Sequence, residues 1–148
     1  MTSPHEIEAM AVDSPRSWAA AHAQQYLDTE GADVEHPHAE CLILLYTRGR
    51  KTGTIRRTPL ASAVVDGELV VAASQGGAPT DPLWFGNLAA DPTVWVRNKG
   101  DVYEARAIVL DAEERPAAWK AIVAAVPGMA GYAEKTDRVI PMVRLARV

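Results

Sequence analysis

Apolar positions along this chain change their spacing several times, and each change marks an element. Residues 1–13 carry no clear periodicity and are expected to form a loose N-terminal arm ahead of a single domain over residues 14–148. Ser14 followed by Pro15 has the form of an N-cap with proline at the first helical position. Trp18, Ala21, His22 and Gln25 then fall along one side of a helix ending near Gly31. The stretch 32–40, polar and broken by proline, reads as a connector.

The middle of the chain switches to strand patterns. Cys41 to Thr47 is a nearly unbroken apolar run, the mark of a strand buried on both faces. The segment 48–53 is a turn leading to a second run, Thr58 to Val65. Asp66-Gly67 is a strong hairpin signal, with Leu69 to Ala73 as the returning strand. Ser74 to Pro82 is a loop with two glycines, and Leu83 to Ala90 reads as a short helix. Thr93 to Arg97 and Val102 to Leu110 form strands around an Asn98-Lys99-Gly100 turn. Asp111 with Glu114 resembles a capping box opening a helix with Trp119, Ile122, Val123 and Val126 on one face, ended by Pro127-Gly128. A last strand spans Pro141 to Arg147. About six strands joined mostly by tight turns, with three helices and no regular βαβ unit, predict a mainly antiparallel α+β barrel.

Charge sharpens this picture in one place. Residues 48–57 read RGRKTGTIRR and hold five of the fifteen Lys and Arg, although the chain as a whole has a net charge of −4. A cationic cluster on a glycine-punctuated turn of an acidic protein is a candidate receptor for an anionic ligand. Gly49 and Gly53 allow positive φ, so their N–H groups could converge on an anion, and Arg56 and Arg57 point to opposite faces of an extended strand. The spacing is not that of a P-loop. A solvated hairpin loop is the plainer reading of such a run. Ser74-Gln75-Gly76-Gly77, one hairpin later, supplies a hydroxyl and exposed amides that adjacent strand ends could bring to the same groove. Trp84 follows, either as core or as a wall for a flat ring.

Other chemistries find less support. His36 and His38 flank Pro37 with Glu40 and Cys41 behind, but no second ligand cluster follows, so no metal site is expected. No Ser/His/Asp or Cys/His set stands out. The acidic balance argues against nucleic acid as a partner. The single cysteine, the absence of a secretory h-region and the lack of a membrane-length apolar run set a cytoplasmic default, with peripheral membrane contact left open. The oligomeric state is not legible.

Three ordered blocks, LLYTRGRKTGTIRRTPL, VVAASQGGAPTDPLWFGNLAADPTVWV and GYAEKTDRVIPMVRL, resemble the deazaflavin (F420)-dependent nitroreductase and F420H2-dependent quinone reductase family of small actinobacterial enzymes. The resemblance runs from about Leu42 to Leu145. It implies a split β-barrel of the FMN-binding-barrel type and reduced coenzyme F420 as hydride donor to a planar, electron-poor acceptor such as a quinone, an enone or an unsaturated lactone. It implies that Arg50, Lys51, Thr52 and Arg56 hold the phosphodiester and polyglutamate tail, and that Pro59 and Leu60 line the cofactor groove. Ser74, Gln75, Gly76 and Gly77 would approach the lactyl-phosphate or ring, with Trp84 and Asn87 on the family's W-x-x-N segment. Gln75 stands where members commonly have lysine, a contact that Arg57 could replace. Val126 and Met129 stand where a nitroimidazole-activating member has aromatics, leaving Tyr132. Tyr132 and Ser74 are the candidate proton donors beside solvent. The alternatives are an FMN-dependent oxidoreductase of the same barrel class and a non-catalytic cofactor- or anion-binding protein.

Overall fold

The computed structural model describes residues 3–13, 24, 27, 41–74 and 80–148. One eight-stranded sheet dominates, built from β1 (Val12–Asp13), β2 (Leu42–Arg48), β3 (Ile55–Ala61), β4 (Ala63–Val65), β5 (Glu68–Ala72), β6 (Thr93–Asn98), β7 (Asp101–Val109) and β8 (Met142–Arg147). Their order is β1-β3-β2-β6-β7-β8-β5-β4. All neighbours are antiparallel except the two-residue β1, which pairs in parallel with Arg56 and Arg57 of β3.

The curl of the sheet follows from its connectivity. β3 and β4 are separated by Ser62 alone, yet they lie toward opposite ends of the strand order. Only a sheet bent back on itself can do this. Ser62 secures the bend by donating both its N–H and its hydroxyl to the carbonyl of Cys41, each at 2.8 Å. The predicted antiparallel α+β barrel of the split type is therefore the observed fold, seven antiparallel strands curled into a half-barrel with β1 added at one edge.

Strand alternation sorts the apolar residues into three clusters. The barrel interior receives Ile43 and Leu45 of β2, Val71 of β5, Val94 and Val96 of β6, and Val143 and Leu145 of β8, together with Trp84 and Leu88 of α2 (Leu83–Ala90). Outside, Leu42, Leu44, Tyr46, Ile55 and Trp95 are covered by Ile7 of α1 (Pro4–Met10). On the far outer side, α3 (Arg115–Ala125), its C-cap Val126 and α4 (Met129–Glu134) pack Ala118, Ile122, Val126 and Met129 on Val70, Ala72 and Met142. β2 is buried on both faces from Leu42 to Thr47, as its unbroken apolar run predicts.

The expectation of a loose arm over residues 1–13 is corrected. Ser3 and Glu6 form a reciprocal capping box around α1, with Pro4 at the helix start. Ile7 is 2% exposed. Glu8 is gripped by both Nε and Nη2 of Arg97, each at 2.6 Å, and accepts the Tyr46 hydroxyl at 2.5 Å. A seven-residue helix burying one apolar side chain is too short to show a period.

Smaller differences have local causes. The second strand starts at Ile55 rather than Thr58 and breaks at Ser62. Asp66 and Gly67 both take positive φ, +51° and +81°, as a tight hairpin between β4 and β5 requires. Asp111 accepts N–H bonds from Glu113 and Glu114, but a turn intervenes and α3 begins only at Arg115. The predicted helix from Ser14 to Gly31 falls outside the described residues apart from Gln24 and Leu27, both helical, and the His36/His38 stretch lies outside them entirely. Among the described residues no helix is long and apolar enough to cross a membrane.

Candidate functional site

The basic turn between β2 and β3 closes through its own backbone. Gly49 N–H donates to Thr54 C=O at 2.7 Å, and Gly53 N–H donates to Gly49 C=O at 2.8 Å. Thr54 N–H is taken by the Thr52 hydroxyl oxygen at 3.2 Å. Gly53 has φ +75°, the one glycine of this turn in the left-handed region. Both glycine N–H groups are thus spent inside the turn. The expected convergence of these amides on an anion is corrected, and anion recognition here falls to side chains.

Those side chains are presented outward. Arg50, Lys51 and Thr52 are exposed, and Arg56 is half-buried. Among the described residues no carboxylate pairs with Arg50 or Lys51, whereas Arg48 lies 3.7 Å from Asp91. Two exposed cations with no carboxylate partner among the described residues keep a positive local potential that an anion can neutralise.

Helix α2 ties this turn to the barrel. Asn87, buried, accepts the backbone N–H of Arg50 on Oδ1 at 3.2 Å and donates from Nδ2 to Thr47 Oγ1 at 3.2 Å. Cross-strand register pairs Thr47 with Arg56, so Arg56 shares the face of Thr47 and Asn87. The Arg50 guanidinium lies over Gly86: a Cβ there would meet Nη1 at 1.7 Å. Gly86 is a cradle cut for this arginine, and Asn87 fixes the turn's backbone above it. Trp84, 6% exposed, turns into the barrel interior and meets Phe85 edge to face, with centroids 6.4 Å apart. It is first a core residue, with only a margin left for a ligand.

The remaining predicted residues divide. Leu60 packs against the interior cluster on the same strand face as Arg56. Pro59 and Arg57 alternate to the other face, and Arg57, 9% exposed, sits opposite Tyr46. Arg57 and Pro59 are therefore not brought together with Arg56 and Leu60. Ser74 is buried at the end of β5, its carbonyl accepting from Arg138 Nη2 at 2.8 Å. Gln75, Gly76 and Gly77 lie outside the described residues. Tyr132 packs in the outer cluster with α3, its ring 5.6 Å from Lys135 Nζ, in a different cluster from Trp84. Val126 and Met129 are buried in that same outer cluster.

Three residues outside the predicted set belong to this constellation. Thr47 and Gly86 are the supports just described, and Arg138 bridges the end of β5 to Asp81 before α2. A threonine ending an otherwise apolar buried run, and a glycine inside a short helix, were the readable signals for the first two. Arg138 had none, because its partners are mostly backbone carbonyls.

Residues 18–146 match the model of a family described as F420H(2)-dependent quinone reductase. Among curated proteins of Mycobacterium tuberculosis, Rv3178, described provisionally as an F420H(2)-dependent quinone reductase, is 30% identical over 103 residues, covering 70% of this chain and 87% of that protein. The F420H(2)-dependent quinone reductase Rv1261c is 39% identical over 75 residues, 49% of this chain and 50% of its own length. A solved F420-H2 dependent reductase, FDR-A, is 39% identical and superposes with a TM-score of 0.66, covering 71% of this chain and 93% of its own.

Proposed function

The chain belongs to the F420H(2)-dependent quinone reductase family, and from that footing we propose that it carries a hydride from reduced coenzyme F420 to a planar, electron-poor acceptor, a quinone foremost and an enone or unsaturated lactone by the same chemistry. It is an oxidoreductase and F420 is its cofactor. The observation that supports the site assignment is the union of the exposed tip of the cationic turn, Arg50 and Lys51, with α2 through Asn87, Gly86 and Thr47. This donor set suits a ligand with a phosphodiester and a polyanionic tail: guanidinium and ammonium groups on the outside, an apolar interior beside them.

In this reading Arg50, Lys51 and Arg56 hold the phosphodiester and tail, with the Thr52 hydroxyl donating alongside. Leu60 and the margin of Trp84 border the flat ring, and Ser74 lies toward it from the end of β5. When bound, the reduced deazaflavin supplies the hydride, so the protein needs no nucleophile of its own. The residues' contribution is orientation, and aligned reacting partners are worth ~7–11 kcal/mol of barrier. The packing of partly buried Tyr132 against the outer cluster, away from Trp84, favours solvent or the Ser74 hydroxyl as the proton source.

Titration with F420 and, in parallel, FMN, read by fluorescence at two salt concentrations, tests this. Micromolar or tighter F420 binding that weakens with salt, with FMN much weaker, is the expected result. FMN binding alone would transfer the assignment to a flavin enzyme of the same barrel class. Turnover of F420H2 with menadione then tests the acceptor class, and binding without turnover on any quinone would sink the reductase reading.

A further inference from the structure

The antiparallel ladder between β5 and β8 ends just where the candidate site begins. The last paired residues are Ala72 and Met142, and Ala73 N–H still reaches the Pro141 carbonyl at 2.9 Å. Beyond that point no strand among the described residues accompanies β5. The carbonyls of Ala73 and Ser74, both buried residues, would need other donors.

Arg138 supplies them. Its Nη1 donates to Ala73 C=O at 3.1 Å and its Nη2 to Ser74 C=O at 2.8 Å. The same Nη1 also donates to Asp81 Oδ1 at 2.8 Å. The arginine side chain is 16% exposed. One planar fork therefore joins the end of β5 to the residue before Pro82, the N-cap of α2, which itself has no side-chain capping bond. Ser74 stands on one side of this staple, and Trp84 and Asn87 on the other.

We infer that Arg138 is a positioning residue for the cofactor site, fixing Ser74 relative to α2 without touching the cofactor. The inference rests on the F420 reading above. An exposed Arg–Asp pair alone would matter little, since Asp81 is 43% exposed. The two carbonyl bonds are different: their acceptors are buried, and a lysine ammonium cannot reproduce a planar fork that serves both. Displacing a binding group by about 1 Å is enough to cost up to ~100-fold in a preorganised site.

The test compares wild type, Arg138→Lys, Arg138→Ala and Asp81→Asn by F420 fluorescence titration, thermal unfolding without cofactor, and steady-state kinetics with menadione. Arg138→Lys and Arg138→Ala are expected to weaken F420 binding about tenfold or more, raising KM for F420H2 while KM for menadione stays unchanged. Asp81→Asn, which keeps both carbonyl bonds, is expected to cost only about twofold. Added low-millimolar guanidinium is expected to restore part of the F420 affinity of Arg138→Ala. Unchanged F420 affinity in Arg138→Lys overturns the inference, as does a loss that vanishes when each variant is assayed equally far below its own unfolding midpoint. Failure of wild type to bind F420 would overturn the functional reading itself, and would appear before any variant is compared.

Discussion

Two arginine-bearing regions on neighbouring strands use the same charge in opposite ways. On the outer face, Arg97 is enclosed by α1, held by both oxygens of Glu8, with the Tyr46 hydroxyl completing the group. At the end of the barrel, Arg50 and Lys51 stand exposed with no carboxylate among the described residues. The first arrangement spends its charges on cohesion: one carboxylate satisfies two elements and fastens a short helix that could not stand alone. The second withholds them from the fold. Its turn is held by backbone bonds and by Asn87, so Arg50 and Lys51 are not tied to any carboxylate among the described residues. Cations at the tip of a turn that the fold holds by other bonds are placed to meet something outside the chain.

The sharpest way to break this contrast is to remove the cohesive carboxylate. Glu8→Ala removes the carboxylate that the enclosed Arg97 and Tyr46 share, a change expected to cost about 3 kcal/mol of stability in chemical denaturation. F420 affinity below the lowered midpoint should be unchanged. A stability loss under about 0.5 kcal/mol would place Glu8 with ordinary surface pairs.

The reverse profile is expected of the turn. Arg56→Ala should weaken F420 binding by about 2 kcal/mol, roughly thirtyfold, with little effect on turnover at saturating cofactor. Loss of turnover with affinity intact would assign Arg56 to the chemical step instead.

Gly86→Ala separates the two uses within one residue. Alanine is worth up to ~1 kcal/mol over glycine in a helix interior, and the atom it displaces is the mobile end of Arg50 rather than backbone. The variant is expected to unfold at slightly higher temperature while F420 affinity falls several-fold. Equal or better F420 binding would show that Arg50 does not need its seat on α2.

The smallest effect is in pH. Burial pushes the Glu8 carboxyl up, but the bonds from Arg97 and Tyr46 outweigh it and leave it below its ordinary value, while burial and Glu8 push the Tyr46 hydroxyl up. A carboxyl depressed in the folded state contributes stability above its unfolded pKa, and that contribution is lost as pH falls through the folded value. Between neutrality and acid, stability should therefore decline partly through Glu8, and Glu8→Gln should flatten that decline. A variant that declines as steeply as wild type would remove Glu8 from the account.

Much of the frame was legible because it depends on short-range pattern. The apolar run of β2, the Asp66-Gly67 hairpin and the helix Leu83–Ala90 all follow from period, turn chemistry and punctuation. The capping box Ser3-x-x-Glu6 around α1 was readable too, but one buried isoleucine offers no periodicity to draw attention to it. In the site, the cations of the turn and the W-x-x-N segment were legible as residue types, whereas their orientation was not. Arg56 and Arg57 are adjacent in sequence, and only the register against Thr47 and Tyr46 decides that they serve different faces.

The sequence by itself determined that this chain makes an antiparallel barrel, that its positive charge gathers at one turn, and which family it resembles, because hydrophobic period, hairpin residues and local charge density act over a few residues. Tertiary structure alone decided that Asn87 fixes the turn instead of facing outward, that Gly86 seats Arg50, that Glu8 closes the outer face and that Arg138 spans from β5 to α2. Each of those pairs lies 36 to 89 residues apart. Contacts at that range exist only after the sheet has curled, and no local pattern records where the curl brings them.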